Sequence, residues 1–157
     1  MSGQGTVKIG ENEWDVSIAT TFYEIVHGLS GLESMDPGTG MLFDMGSNTD
    51  IDINMDEMLF SLDIVFIECE ETDEGNVCSV SSVARNVEPG AKGITGTGRY
   101  FMEVNAGECD DVDVGDNVDI TITLENELLG NLINILLATP ILIGGAVLTL
   151  KATKNRQ

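Results

Sequence analysis

Over the first 124 positions apolar residues recur mainly every second residue, the period of half-buried strands. "TVKIG" and "EWDVSIA" alternate on either side of "GEN", a turn signal, and predict an N-terminal hairpin. The period then changes once. Thr21 to Glu24 fits the capping box S/T-x-x-E, and Phe22, Ile25, Val26 and Leu29 fall on one helical face. A helix of two or three turns, ended by Gly28 and Gly31, is expected. "MDPGTG" reads as a loop and "GMLFDM" as a short strand. In "DIDINMD", Ile51, Ile53 and Met55 take one side, and Asp50, Asp52, Asn54 and Asp56 the other. "LFSLDIVFIE" is apolar enough for a central strand, "EETDEGN" is a hairpin turn, and "VCSVSSVARNV" alternates again. "EPGAKGITGTG" reads as an irregular loop before strands at "RYFMEVNAG" and "VGDNVDITITLE". The expected fold class is mainly β (α+β): a small, barrel-like antiparallel domain with one short helix over residues 1–124.

The pattern breaks after Glu127. Leu128 to Leu150 carries no charge in 23 residues and runs straight into "KATKNRQ". Residues 125–157 therefore form a separate C-terminal segment, expected to be a hydrophobic helix. Such a helix spans about 34 Å against a bilayer core of about 30 Å. Its Leu, Ile and Val residues favour insertion by about 4–8 kcal/mol before Asn131, Asn134, Pro140 and the glycines subtract their share. Lys151, Lys154 and Arg156 would set the C-terminus in the cytoplasm. The opening "MSGQGTVKIGENEW", however, has no apolar centre of a signal peptide, so export of the body is not expected. The other reading is burial between copies of the chain. The segment starts at Leu128, Asn131 and Asn134 hydrogen-bond across an oligomer axis, Pro140 breaks the helix, and Gly144 and Gly145 let backbones approach. Lipid contact and burial in a protein assembly both stay open; exposure to water does not.

Charge narrows the partners. Twenty-seven Asp and Glu face seven Lys and Arg, for a net charge of −20 and a pI near 4.1. Such a surface repels phosphate backbones, so nucleic acid is not an expected partner. It suits a salt-rich, halophilic setting, where self-repulsion is screened, or serves solubility alone. Hydrophobic residues at 42% suffice for a packed core. The odd cysteine count, Cys69, Cys78 and Cys109, excludes a complete intrachain disulfide framework. Cys69 beside an apolar run reads as a core thiol, with a Cys69–Cys78 bridge across the hairpin as the alternative.

Three motifs occur in order: "IATTFYEIVHGLSGLESMDPGTGMLFDM", "MLFSLDIVFIE" and "RYFMEVNAG" followed by "VGDNVDI". Together they resemble the domain-of-unknown-function family 192 over about residues 5–122. The resemblance implies a small, mostly β, barrel-like fold and carries no established activity. The chain departs from the family pattern where Trp-Met-Lys-Asn and a following Pro are usual. Here stand Asn54, Met55, Asp56, Glu57 and Ser61; Met55, Leu59, Leu62 and Asp63 keep the pattern. A family pocket built on those positions is expected to be lost.

Candidate chemistry is thin. Asp63, flanked by Leu62 and Ile64, needs hydrogen-bond donors if buried, either loop backbone amides or Arg99, and reads as a structural carboxylate. His27, the single histidine, stands near a helix end, where the dipole favours it, and has no nucleophile context. Asp50, Asp52, Asn54 and Asp56 mimic the start of a calcium loop, but Met55 and Ser61 occupy the Gly and Glu places. Asp110, Asp111, Asp113, Asp116 and Asp119 form a second acidic group. Both read as solvated faces, with loose divalent-cation binding as the sharper alternative. "GITGTGRY" precedes a strand and lacks the P-loop Lys, so it is no phosphate cradle, and Ser30 lacks the nucleophile elbow. No catalytic, cofactor-binding or metal residue is assigned. The expectation is a non-enzymatic structural or assembly protein, held in a homo-oligomer or large particle such as a virion by Leu128, Asn131, Asn134, Pro140, Gly144 and Gly145. The alternative is a membrane-anchored domain binding a small ligand or cation.

Overall fold

The computed structural model describes residues 3–73 and 75–123, together with the backbone of residues 141–143 and 146–148. The chain divides into two compact units, Met1–Thr123 and Leu124–Gln157.

In the first unit the alternating segments become β1 (Gly3–Ile9), β2 (Asn12–Ala19), β3 (Thr39–Ile53), β4 (Leu62–Thr72), β5 (Gly75–Val87), β6 (Ile94–Asn105) and β7 (Asn117–Thr123). One helix, α1 (Phe22–His27), lies between β2 and β3. The strands close into a barrel in the order β1-β2-β3-β6-β4-β5-β7. Neighbours run antiparallel except β2 and β3, which are parallel and joined by the crossover that carries α1. The β5–β7 seam is short, Cys78 opposite Val118 and Ser79 opposite Asn117.

Strand alternation sorts the apolar residues into two cores. Val7, Trp14, Val16, Leu42, Val65, Met102 and Val104 fill the barrel. Phe43, Ile51, Ile53, Met55, Leu62, Ile64, Phe66 and Phe101 form a second layer on its outer wall, with Leu29 and Met58 packed over them. This explains the solid apolar run of β4. Val65 and Ile67 point into the barrel while Leu62, Ile64 and Phe66 point into the outer layer, so neither face meets water. "DIDI" keeps its two-residue period: Ile51 and Ile53 are buried, Asp50 and Asp52 exposed. That stretch is continuous with the "GMLFDM" strand in β3, the two parts being offset by a register shift between Asp44 and Thr49.

Three expectations need correction. The capping box of α1 is present, with Thr21 accepting from the Glu24 amide and Glu24 reaching back to Thr21, but within the helix only Ile25 of the apolar face packs against the core, half-buried. Phe22 and Val26 are 83% and 66% exposed, and the burial falls on Leu29, beyond the helix. Six residues make less than two turns, and the caps plus Leu29 hold the element instead. "GITGTG" is strand, not loop, for β6 begins at Ile94. Its glycines serve close packing: a Cβ at Gly96 would overlap the Phe66 ring, and one at Gly98 the Ile67 carbonyl oxygen. In the second unit, β8 (Ile141–Ile143) and β9 (Ala146–Leu148) pair antiparallel, so a single helix does not run through these residues. The β-branched Ile141, Ile143 and Val147, with Pro140 before them, favour extended backbone. Leu128, Asn131, Asn134, Pro140, Gly144 and Gly145 lie outside the described residues. Among the described residues no helix is long and apolar enough to cross a membrane.

Candidate functional site

The outer layer is not filled completely. Phe101 and Glu103 of β6 share its face, opposite Phe43 and Met41 of β3 and Phe66 and Ile64 of β4. Above them arch the turn after α1, the far half of β3 and residues 54–58. The Gly31 amide donates to the Glu57 carbonyl at 3.1 Å and ties the first of these to the last. The Met55 amide donates to the Ala91 carbonyl, and the Gly90 amide to the Met55 carbonyl, which anchors the loop from the other side. Gly28, with φ of 51°, ends α1 where a Cβ would meet the Phe43 ring at 3.4 Å. The half-open cavity between them measures about 500 Å³. Its floor is the Phe43–Phe101 stack, with ring centroids 4.1 Å apart. Its rim carries Asp50, Asp52, Asp56, Glu57 and His27.

Glu103 also lines the cavity and is 6% exposed. Its strand neighbours Met41 and Ile64 are apolar, and among the described residues no amide, hydroxyl or cation meets its carboxylate. Burial alone pushes its pKa up to about 7. Among the described residues the sealed side-chain polar atom without a partner is Ser82 Oγ, so the Glu103 oxygens open on the cavity.

Asp63 contrasts with it. On the opposite, barrel-facing side it is fully buried and accepts from three backbone amides: Asn86 at 2.7 Å, Gly107 at 2.9 Å and Cys109 at 2.9 Å. Asn86 takes φ of 50° to deliver its N–H. Arg99, the other donor considered for Asp63, pairs with Asp44 at 3.3 Å and lies over the Tyr100 ring. The amides of Gly107 and Cys109 belong to the loop that stoppers the barrel with Cys109 and Val112, where burial pushes the Cys109 thiol up to about 12. Glu108 secures that loop by accepting from Trp14 Nε1 at 2.8 Å and the Gly38 amide at 3.1 Å.

The remaining candidates are scattered. His27 is exposed and stacks on Tyr23 at 5.8 Å; it and Ser30 border the cavity without a hydrogen bond between them. Asn54 accepts from the Asp56 amide, and Asp56 pairs with Lys92 at 3.1 Å. Asp116 accepts from the Asp113 amide. Among the described residues no group of three or more His, Cys, Asp or Glu side chains could hold a metal ion. Cys69 and Cys78 form the disulfide, so the bridge, not the core thiol, is realised.

Residues 5–120 match the sequence profile of DUF192, described as "Uncharacterized ACR". The chain belongs to the DUF192 family. Two crystal structures share the fold. One, at 1.55 Å, is of a "putative transcription regulator" from Sinorhizobium meliloti 1021: 23% identity, 75% of this chain and 94% of the other covered, TM-score 0.67. The second, at 1.22 Å, is of a protein of unknown function from Novosphingobium aromaticivorans DSM 12444: 20% identity, 73% and 83% covered, TM-score 0.62. No curated protein matches the chain. In this DUF192 domain the departures at Asn54, Asp56 and Glu57 fall on the rim of the cavity. These positions, where the family pattern is not kept, therefore border a cavity in this chain. Glu103 was missed because "RYFMEV" reads as one more strand of the framework. The available signal was a lone carboxylate between Met102 and Val104, both buried.

Proposed function

We propose that this DUF192 domain is a non-enzymatic binding module whose ligand is a small amphipathic molecule seated between the α1 turn and residues 54–58. One observation carries this reading: among the described residues no donor meets the buried Glu103 carboxylate at the wall of a cavity. Asp63 is satisfied by three backbone amides whereas among the described residues none reaches Glu103, and buried polar groups are normally satisfied. A ligand donor supplies what the protein withholds. The cavity volume falls in the range of small-molecule sites, and its aromatic floor with one fixed polar group is their usual make-up. No nucleophile–base pair among the described residues argues for catalysis. The test is an amide-resolved NMR titration with 4-phenylbutylammonium, 4-phenylbutanol and 4-phenylbutyrate. Saturable shifts at residues 28–30, 51–58 and 101–103 with at least one probe are expected; no shift with any of them overturns the reading.

A second reading, an assembly module fixed in an oligomer, membrane or large particle such as a virion, is favoured by the 23 uncharged residues from Leu128 to Leu150 and by the exposed Phe22, Tyr23 and Val26. Gel filtration of the detergent-free full chain tests it. A self-associated species is expected, and a stable, soluble monomer overturns it.

A further inference from the structure

We propose that the cavity selects an organic monocation, an ammonium on an apolar body, with the nitrogen against Glu103 and the body on the Phe43–Phe101 stack. This rests on the binding-module reading and adds the chemical class.

The charges around Glu103 make the case. On its own sheet its neighbours Met41, Phe43, Ile64, Phe66 and Phe101 are uncharged. The α1 turn brings His27, the far half of β3 brings Asp50 and Asp52, and residues 54–58 bring Asp56 and Glu57. Lys92 offsets Asp56, at 3.1 Å on the exposed side. Around the cavity Asp50, Asp52 and Glu57 therefore stand against a single His27. An anion meets repulsion at the rim and a second carboxylate at the wall. An alcohol gives Glu103 one hydrogen but no charge. An ammonium gives it donors and charge together, and charge-assisted hydrogen bonds are roughly twice as strong as neutral ones.

A metal ion fits poorly. Calcium takes about six to eight oxygens at 2.3–2.6 Å, whereas Glu103 looks onto aromatic rings, and no three acids among the described residues gather at one point. The stacked rings suit an apolar substituent instead, and their faces attract a cation that slips off the carboxylate.

Binding of the ammonium favours ionised Glu103, so a proton leaves the site at acid pH. The preference for ammonium over alcohol is therefore widest above pH 7 and narrows as pH falls through about 6.

The three phenylbutyl probes also decide this question, with CaCl₂ as a fourth. At pH 8 the full chain is expected to bind 4-phenylbutylammonium at least tenfold tighter than 4-phenylbutanol, and 4-phenylbutyrate most weakly. The tenfold gap is expected to shrink at pH 5.5. Glu103→Gln is expected to abolish the gap by lowering ammonium affinity at least tenfold. Should Glu103→Gln misfold, Asp50→Asn/Asp52→Asn on the exposed rim lowers ammonium affinity severalfold and leaves alcohol affinity unchanged. Equal binding of alcohol and ammonium, tightest binding of the butyrate, a gap that survives Glu103→Gln, or saturable Ca²⁺ shifts at residues 101–103 overturns the cation assignment while the binding-module reading stands. Failure of all three phenylbutyl probes overturns both.

Discussion

Two carboxylates sit on adjacent strands of this barrel, and the fold treats them oppositely. Asp63 is enclosed by the amides of Asn86, Gly107 and Cys109. Asp63→Ala leaves those three donors without an acceptor, and at about 1–3 kcal/mol per unsatisfied buried group a loss of at least 3 kcal/mol is expected. Asp63→Asn, keeping one acceptor oxygen, falls between Asp63→Ala and the wild type; urea midpoints measure the order. Among the described residues Glu103 meets no such donors, and its raised pKa gives stability a pH slope of its own. Below about pH 4.5 the carboxyl is protonated in both the folded and the unfolded chain. Between there and pH 7 the unfolded chain releases the proton first, so the folded state binds more protons and loses ground as pH rises. The loss is complete above pH 7 and amounts to about 3 kcal/mol. Relative to wild type, Glu103→Gln should therefore gain about that much between pH 4.5 and pH 8 in denaturant titrations; a constant difference across that range would contradict the burial argument. The need of Asp63 for donors was legible in the sequence, because an acid inside "LDIVFI" has to be paired. Which donors, and the contrast with Glu103, were not legible, since the amides come from segments 23 to 46 residues away.

Strands were the legible elements, because one side of each meets a core and the period of two survives in the letters. Where both sides are covered, as in β4, the period vanishes and the apolar run itself is the signal. The errors have a common cause in tertiary context. Glycines in "GITGTG" suggest a loop until Phe66 and Ile67 are seen to occupy the space that side chains would need. Gly96→Ala is accordingly expected to cost about 1–3 kcal/mol through overpacking against Phe66. Gly3→Ala, whose Cβ would meet Ile18 at an ordinary 3.6 Å, should stay within about 0.5 kcal/mol. Paired thermal melts read the difference. The β4–β5 hairpin carries its own tie in Cys69–Cys78, nine residues apart. Replacing both cysteines by serine should lower stability by about 2–3 kcal/mol by the loop-entropy estimate, with dithiothreitol having a matching effect on the wild type and none on the double variant.

At the scale of the whole chain, charge and closure dominate. A net charge of −20 repels itself most when the screening length is about 30 Å, at 0.01 M salt, and least at about 3 Å, at 1 M. The melting midpoint should therefore climb with NaCl over that range, about 4 °C for each kcal/mol of repulsion relieved; a flat response would mean the acids are already neutralised locally. The unit Met1–Thr123 holds both cores and the full ring of strands, so a chain ending at Thr123 should keep the cooperative melt of the full-length protein. The ring itself has a kinetic implication. Gly5 lies beside Ile122, so the first strand finds one of its two partners only when the last has been made. During synthesis the N-terminal hairpin must wait with a bare edge, and contacts between distant parts of a chain put refolding in the millisecond-to-second regime. The acids that crowd this surface keep nascent copies apart during that interval, when sticking edge to edge is the chief hazard.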